Sequence, residues 1–457
     1  MKTHIPSDQG RTFSVVDGQR NGTLLLQASP NQRVFATWIA RLLALCVAAA
    51  LVTGCGNSSA PPPSQQPPSQ GAQNCAWPSM ISVQSANTAI PDSAAAYRGQ
   101  PIVADQNTTI QISGRFPDAR YASLSIYTPY GSPFTTNGVS SSLPDYRIRP
   151  QPGSQNPWQQ SAPPGGRFEV TIRSDVTPNQ VNSLPMPAGT SSQYPGYLVY
   201  RVYLLASGNF SQVQLPALTI EEGHTARPLP ACPTHNTPVQ KPEPAPSTTP
   251  PSGTPTTVPP ASRFYKPLLN RGLANADSAY VWAYLIRPAV SDVVVVTAKA
   301  PTSPPGSHPT PWPEPNDDMR YWSMCIGVGI QSLPTVVNTL PDGTTDDGCR
   351  ADEATKINSN GYYIYVIGSE AQRSAIERVP GITFLPFSST QSTRLYLLLL
   401  RNTLVSQQFT HSVQDITQTQ DPTAAAAAMG PYYPQVSTCP LTTLTTGGPQ
   451  ACTTGHP

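Results

Sequence analysis

Arg120-Tyr121-Ala122-Ser123-Leu124-Ser125-Ile126 and Arg320-Tyr321-Trp322-Ser323-Met324-Cys325-Ile326 lie 200 residues apart and read as two copies of one strand. In the first, Leu124 and Ile126 flank Ser125, the period of two that places one face of a strand in a core. Working outward, Gly166-Arg167-Phe168-Glu169-Val170-Thr171-Ile172 parallels Gly361-Tyr362-Tyr363-Ile364-Tyr365-Val366-Ile367, and Leu184-Pro185 parallels Leu385-Pro386. Tyr200-Arg201 parallels Leu400-Arg401, again 200 residues apart, and Asp92-Ser93 and Asp277-Ser278 open the two series. No single match is persuasive, but five kept in one order predict an internal duplication.

Each matched block reads as a strand. Ile110-Gln111-Ile112 and Phe168 to Ile172 alternate, as half-buried strands do. Val293 to Val296 and Leu397 to Leu400 are unbroken apolar runs, which suits strands buried on both faces. Turn sequences separate them: Pro129-Tyr130-Gly131, Pro164-Gly165-Gly166, Pro341-Asp342-Gly343 and Asn360-Gly361. The fold class predicted is mainly β, with two related antiparallel β-sandwich (jelly-roll-like) domains and little helix. The best helix runs from Asp421 through five alanines to Met429, with Asp421 as cap, Pro422 in the first turn, and Gly430-Pro431 as stop. A weaker helix is expected over Leu404 to Ile416.

Composition supplies the boundaries. Gly56 to Gln73 is rich in Pro, Ser and Gln, and Pro233 to Ala261 in Pro and Thr; such segments bury too little apolar surface to offset their ordering entropy. They read as extended spacers, the first lifting the folded part off a membrane and the second separating two domains. The division expected is a signal segment over 1–54, a lipidated tether over 55–73, a first sandwich over 74–232, a linker over 233–261, a second sandwich over 262–438, and a disulfide-closed tail over 439–457.

Arg41, the apolar run Leu42 to Val52, and then Thr53-Gly54-Cys55 have the layout of a secretory signal, and Val52-Thr53-Gly54-Cys55 resembles a bacterial lipobox. The run is too short for a spanning helix, which needs about 20 apolar residues. The sequence before Arg33 is long and polar for such a signal, which points to a true start downstream, near Val34. A mature chain beginning at lipidated Cys55 would hold two or more acyl chains, enough for stable anchoring in the cell envelope. Gly56 rather than Asp after the cysteine favours the outer membrane of a two-membrane cell; in a one-membrane cell the anchor lies on the outer face of the plasma membrane.

With Cys46 and Cys55 assigned to the signal and the lipid, six cysteines remain, and an even number in an exported chain reads as disulfides. Their positions favour Cys75 with Cys232 around the first domain, Cys325 with Cys349 inside the second, and Cys439 with Cys452 at the end. No C-x-x-C spacing suggests a metal.

Charged residues make up 11% of the chain, against about 25% in typical proteins, and the net charge of +2 excludes a basic field for nucleic acid. No G-x-S-x-G, P-loop or dinucleotide glycine pattern occurs, and no catalytic residue, metal or cofactor is predicted. His411, near the core, reads as structural. Asp342, Asp346, Asp347, Asp352 and Glu353 form the densest acidic cluster; Gly348 falls one place late for a calcium loop, so a solvated loop is preferred. Arg201 and Arg401 end very apolar strands; each is read first as lying against aromatics or paired to a local carboxylate, second as an anchor for an anionic or sugar ligand at a sandwich rim. Tyr321 and Trp322 are secondary ligand candidates, better read as packing.

The order Tyr321-Trp322-Ser323-Met324, a Gly-led strand, Phe384-Leu385-Pro386 and an apolar strand ending in Arg resembles a β-sandwich domain of bacterial envelope proteins, with a pattern near W-S-L, N-W-L-P and R-L-Y. The first copy contributes Tyr121-Ala122-Ser123-Leu124, Asn182-Ser183-Leu184-Pro185 and Arg201-Val202-Tyr203; it lacks the first Trp, and Phe384 stands at the other in the second copy. The resemblance implies a fold and an envelope location, not a reaction. The function expected is a non-catalytic binding or scaffolding lipoprotein for a surface glycan or envelope protein; the rival is an envelope hydrolase of carbohydrate or ester.

Overall fold

A computed structural model describes residues 74–103, 107–233, 262–268, 272–330 and 332–453. The signal segment, Cys55, the first tether and residues 234–261 of the linker lie outside the described residues. The first copy contains strands β1 (Ala95–Ile102), β2 (Thr108–Arg115), β3 (Ala119–Tyr127), β4 (Ser142–Pro144), β5 (Arg167–Arg173), β6 (Ser183–Pro185), β7 (Gly196–Leu205) and β8 (Ala217–Glu222). The second contains β9 (Ser278–Ile286), β10 (Asp292–Lys299), β11 (Met319–Val328), β12 (Cys349–Ala351), β13 (Tyr362–Gly368), β14 (Thr383–Pro386), β15 (Leu395–Val405) and β16 (Gln435–Pro440).

The two copies share one topology. Sheet orders β1-β7-β3-β4 and β8-β2-β5-β6 recur as β9-β15-β11-β12 and β16-β10-β13-β14. Among the described residues the first copy adds edge strands, Ser79–Ile81 beside β1 and Thr225–Pro228 beside β8, where the second has a bridge of Tyr265 to Trp282 beside β9. Pairing is antiparallel apart from β5 with β6 and β13 with β14, where Ile172 meets Leu184 and Ile367 meets Leu385 in the same parallel register. An all-antiparallel expectation misses that edge, because Leu-Pro returns over a crossover rather than a hairpin.

Each copy closes its two sheets over a common core. Ile112, Val170 and Leu218 from one sheet meet Leu124, Leu198 and Val202 from the other. In the second copy Val294, Tyr365 and Ile367 meet Trp322, Met324 and Leu398. The unbroken run in β10 has a separate cause. Val293 and Val295 face outward into a small third layer with Ile376, Leu444 and the Cys439–Cys452 bridge. Helices α1 (Glu370–Ile376) and α3 (Leu441–Gly447) supply that layer, whereas β2 has no such cover and alternates.

All three disulfides join the pairs read from the sequence: Cys75–Cys232, Cys325–Cys349 and Cys439–Cys452. Helix α2 (Pro422–Met429) forms as expected, with Asp421 Oδ1 accepting from Thr423 N at 2.8 Å. The weaker helix over Leu404 to Ile416 does not form; β15 continues to Val405 and only a single 3-10 turn, Val413–Asp415, follows. Cys439 lies in β16, paired with Val293, so this part of the expected tail is a strand of the second sandwich.

A linker that separates two domains predicts modules held apart. The structure instead joins the copies through buried, reciprocal contacts. Arg120 on β3 pairs with Asp352 at 2.5 Å and Glu353 at 2.9 Å, and Arg320 on β11 pairs with Asp145 at 2.7 Å. Asp145 and Asp352 each open a 3-10 turn just after the equivalent strands β4 and β12. Arms ahead of β1 and β9 also cross over. Ala89 and Ile90 donate to Ser332 O at 2.9 Å and Leu333 O at 2.8 Å, and Leu273 donates to Gly131 O at 2.9 Å.

Gly327 admits the first arm: a Cβ there would stand 2.7 Å from Ile90 Cγ1. Overpacking a close contact costs about 1–3 kcal/mol. Gly327→Val is therefore expected to raise proteolytic cleavage within residues 82–91 by roughly tenfold, since cleavage follows the opened population. Unchanged cleavage kinetics would show that the arm does not depend on this contact.

Candidate functional site

Arg201 and Arg401 occupy equivalent places in the registers of the two copies. Arg201 lies opposite Tyr97 and Ser123; Arg401 lies opposite Tyr280 and Ser323. The second reading of these arginines, a ligand anchor, places them at a sandwich rim. They are instead buried, at 1% and 3% exposure, where the two copies meet. The cause is the crossed arms, which cover what an isolated sandwich would expose.

The arms give the two arginines different partners. Arg401 pairs with Asp92, and its Nη1 also donates to Ser323 Oγ at 2.8 Å. Asp92 further accepts from Tyr321 Oη and Ser323 Oγ, each at 2.7 Å. This is the paired reading of an apolar-strand arginine. In the first copy the equivalent position holds an amide. Asp92 N donates to Tyr97, opposite Arg201, and Asn275 N to Tyr280, opposite Arg401, both at 3.3 Å. Asp92 Oδ1 accepts from Ala94 N as Asn275 Oδ1 accepts from Asp277 N, so Asp92 matches Asn275. The sequence pairing of Asp92 with Asp277 is thus corrected by two residues.

Arg201 consequently has no carboxylate partner. Its Nη2 donates to Tyr127 Oη and, at 2.7 Å, to Leu273 O, while its guanidinium stacks over the rings of Tyr97 and Tyr127. Its Nε and Nη1 are buried without a hydrogen-bond partner among the described residues. Asp277 accepts from Tyr121 Oη at 2.8 Å and Ser142 Oγ at 3.1 Å, and burial raises its pKa against those bonds.

Between the copies, beside both arginines, lies a cavity of about 370 Å³. Its wall is built from equivalent pairs, Arg201 with Arg401, Tyr97 with Tyr280 and Val199 with Leu399, and Trp282 adds an indole. The wall is largely apolar and aromatic. The buried nitrogens without partners on its residues, including Arg401 Nε and Trp282 Nε1, are all donors. A second cavity of about 450 Å³ is polar and includes Ser142, Tyr146, Asp277, Ser412 and Asp415.

The other sequence candidates fall elsewhere. Tyr321 is buried at the junction, bonded to Asp92, and Trp322 lies in the core of the second sandwich with its Nε1 donating to Pro301 O at 3.1 Å. Neither lines the apolar cavity. The acidic cluster is not simply a solvated loop: Asp346 pairs with Arg350 and Arg373, and Asp352 is buried against Arg120. His411 Nδ1 faces Ala428 O at 3.2 Å and its ring stacks on Tyr432. Asp92, Cys325 and Cys349 converge, but both sulfurs belong to the disulfide and Asp92 to Arg401. Sequence reasoning missed Tyr97, Asn275 and Tyr280; the signal available was the arm ahead of each first strand, hidden by the misplaced match.

No family model matches the chain, and no curated protein does. Among solved structures, an uncharacterized protein from Burkholderia cenocepacia is similar at 13% identity, with a TM-score of 0.45 and 91% of each chain covered. A protein from Vibrio parahaemolyticus is similar at 11% identity, with a TM-score of 0.37, covering 76% of this chain and 88% of its own. At these values neither likeness bears on function.

Proposed function

We propose that this chain is a lipid-anchored bacterial envelope protein, resembling the envelope β-sandwich domains noted above, that binds a small ligand between its two copies without turning it over. The anchor rests on Arg41 to Cys55, and three disulfides suit an oxidising compartment. The observation that carries the binding reading is the cavity beside Arg201, whose volume lies within the range of small-ligand sites, about 300–1,000 Å³. A largely apolar wall suits a small amphipathic molecule better than a hydroxyl-rich glycan. The copies pack against each other, which supports one ligand site shared between them.

Cells fed labelled palmitate are expected to label the protein, and Cys55→Ala to lose the label; an unlabelled wild type would remove the anchor. Ligand released from the purified chain is expected to be recovered chemically unchanged.

The hydrolase reading has one observation in its favour, the raised pKa of Asp277 beside Ser142 in the second cavity. Burial at the junction accounts for that shift. An ester and glycoside panel that showed turnover by the wild type and none by Asp277→Asn would favour it.

A further inference from the structure

The two copies form a pair with one chemical asymmetry at its centre. On one side Arg401 has Asp92; on the other Arg201 has Asn275 in the same place, and an amide supplies no charge. Two guanidinium groups therefore border the apolar cavity, and of the two only Arg401 is ion-paired among the described residues, to Asp92. A buried charge without a counter-charge is unfavourable in a low-dielectric interior. The tyrosine faces and Leu273 O compensate Arg201 only in part, since two of its nitrogens keep no partner among the described residues. Asp277 lies within electrostatic reach of Arg201, which pulls its pKa down, but its carboxylate is held by Tyr121 and Ser142, and Arg201 Nε and Nη1 keep no hydrogen-bond partner among the described residues. The missing partner is an anion of single charge, and the surrounding rings call for an apolar body attached to it.

We propose that the cavity binds a monocarboxylate with an apolar body, its carboxylate neutralising Arg201 as Asp92 neutralises Arg401, and its body packed among Tyr97, Tyr280 and Trp282. This rests on the cavity being the ligand site and names the class of molecule it takes. Aromatic and aliphatic acids share the required chemistry, and the probes separate them. Selectivity for charge comes from Arg201, and selectivity for shape from the aromatic wall.

The test is calorimetric titration of the full chain carrying Cys55→Ala with phenylacetate and octanoate, and with their neutral amides, phenylacetamide and octanamide. One acid is expected to bind with a stoichiometry of one, and its amide at least tenfold more weakly. Arg201→Met is expected to weaken acid binding tenfold or more and to leave amide binding unchanged. Asn275→Asp recreates the Arg401–Asp92 arrangement inside the protein; it is expected to keep the fold, as read by the thermal midpoint, and to abolish acid binding. Equal binding of acid and amide, or acid binding indifferent to both substitutions, would overturn the carboxylate assignment while leaving the cavity as the ligand site. If neither acids nor amides bind, the carboxylate proposal falls. If, in addition, filling the cavity with Val199→Phe leaves the small molecules that copurify with the chain unchanged, the binding reading falls with it.

Discussion

Arg320→Ala is expected to destabilise the protein by about 3–5 kcal/mol, the cost of leaving a buried charge without its partner. The side chains of Arg320 and Asp145 are 0% and 1% exposed, and the two copies meet through them. Asp145 would keep bonds from Ala122 N and Tyr146 N, each 2.6 Å, but lose the cation paired with it. Arg120→Ala should act in the same direction through Asp352, whose side chain is 4% exposed.

The pH dependence fixes the sign. Burial pushes the carboxyls of Asp145 and Asp352 up to about 6 from an ordinary 3.8, against the pull of their arginines. Between these values the folded protein holds protons that the unfolded chain has released, so stability from these groups is highest below about pH 4 and falls as pH rises towards 6. Without Arg320, keeping Asp145 ionised above pH 6 is harder still. The deficit of the variant, measured by denaturant unfolding, should therefore be larger at pH 8 than at pH 4.5. An equal deficit at both would show that the loss is one of packing rather than charge.

Replacing both Cys75 and Cys232 by serine should produce the largest loss of any single bridge. The pair spans 157 residues, against 24 and 13 for the others. Loop entropy assigns the long bridge roughly 5 kcal/mol and the shortest about 3. The folded segment next to it has independent anchors. Ala76 N donates to Pro230 O at 2.8 Å, and buried Trp77 donates through Nε1 to Pro216 O and through its backbone N to the Gln100 side chain, both at 2.7 Å. The native first sandwich should therefore survive the substitution, with the change lying mainly in a more expanded unfolded state. That predicts a lower denaturation midpoint together with a steeper dependence on denaturant. A lower midpoint with an unchanged slope would place the loss in the folded state instead.

Much of the architecture was legible because its signals are local. Alternation in β5 marked a one-sided strand, the unbroken valines of β10 marked a strand covered on both faces, and Asp421 and Gly430 bounded α2. The cysteine order gave three disulfides because each pair brackets a unit of the chain. The weaker helix over Leu404 to Ile416 gives way because β15 runs on to Val405 and Val413 and Ile416 pack into the second core. Residues 234–261 lie outside the described residues, and their composition is silent on what the domains at their ends do to each other.

The sequence by itself determined the strands, the pairing of cysteines and the existence of two sibling halves, since periodicity and order are properties of short stretches. Tertiary structure alone decided that the halves interlock, that Arg320 needs Asp145, and that Arg201 faces an amide where Arg401 faces Asp92. The ion pairs Arg320–Asp145 and Arg401–Asp92 join residues 175 and 309 positions apart, and a charge's partner at that distance is set by how surfaces meet in space, on which no local pattern in the chain bears.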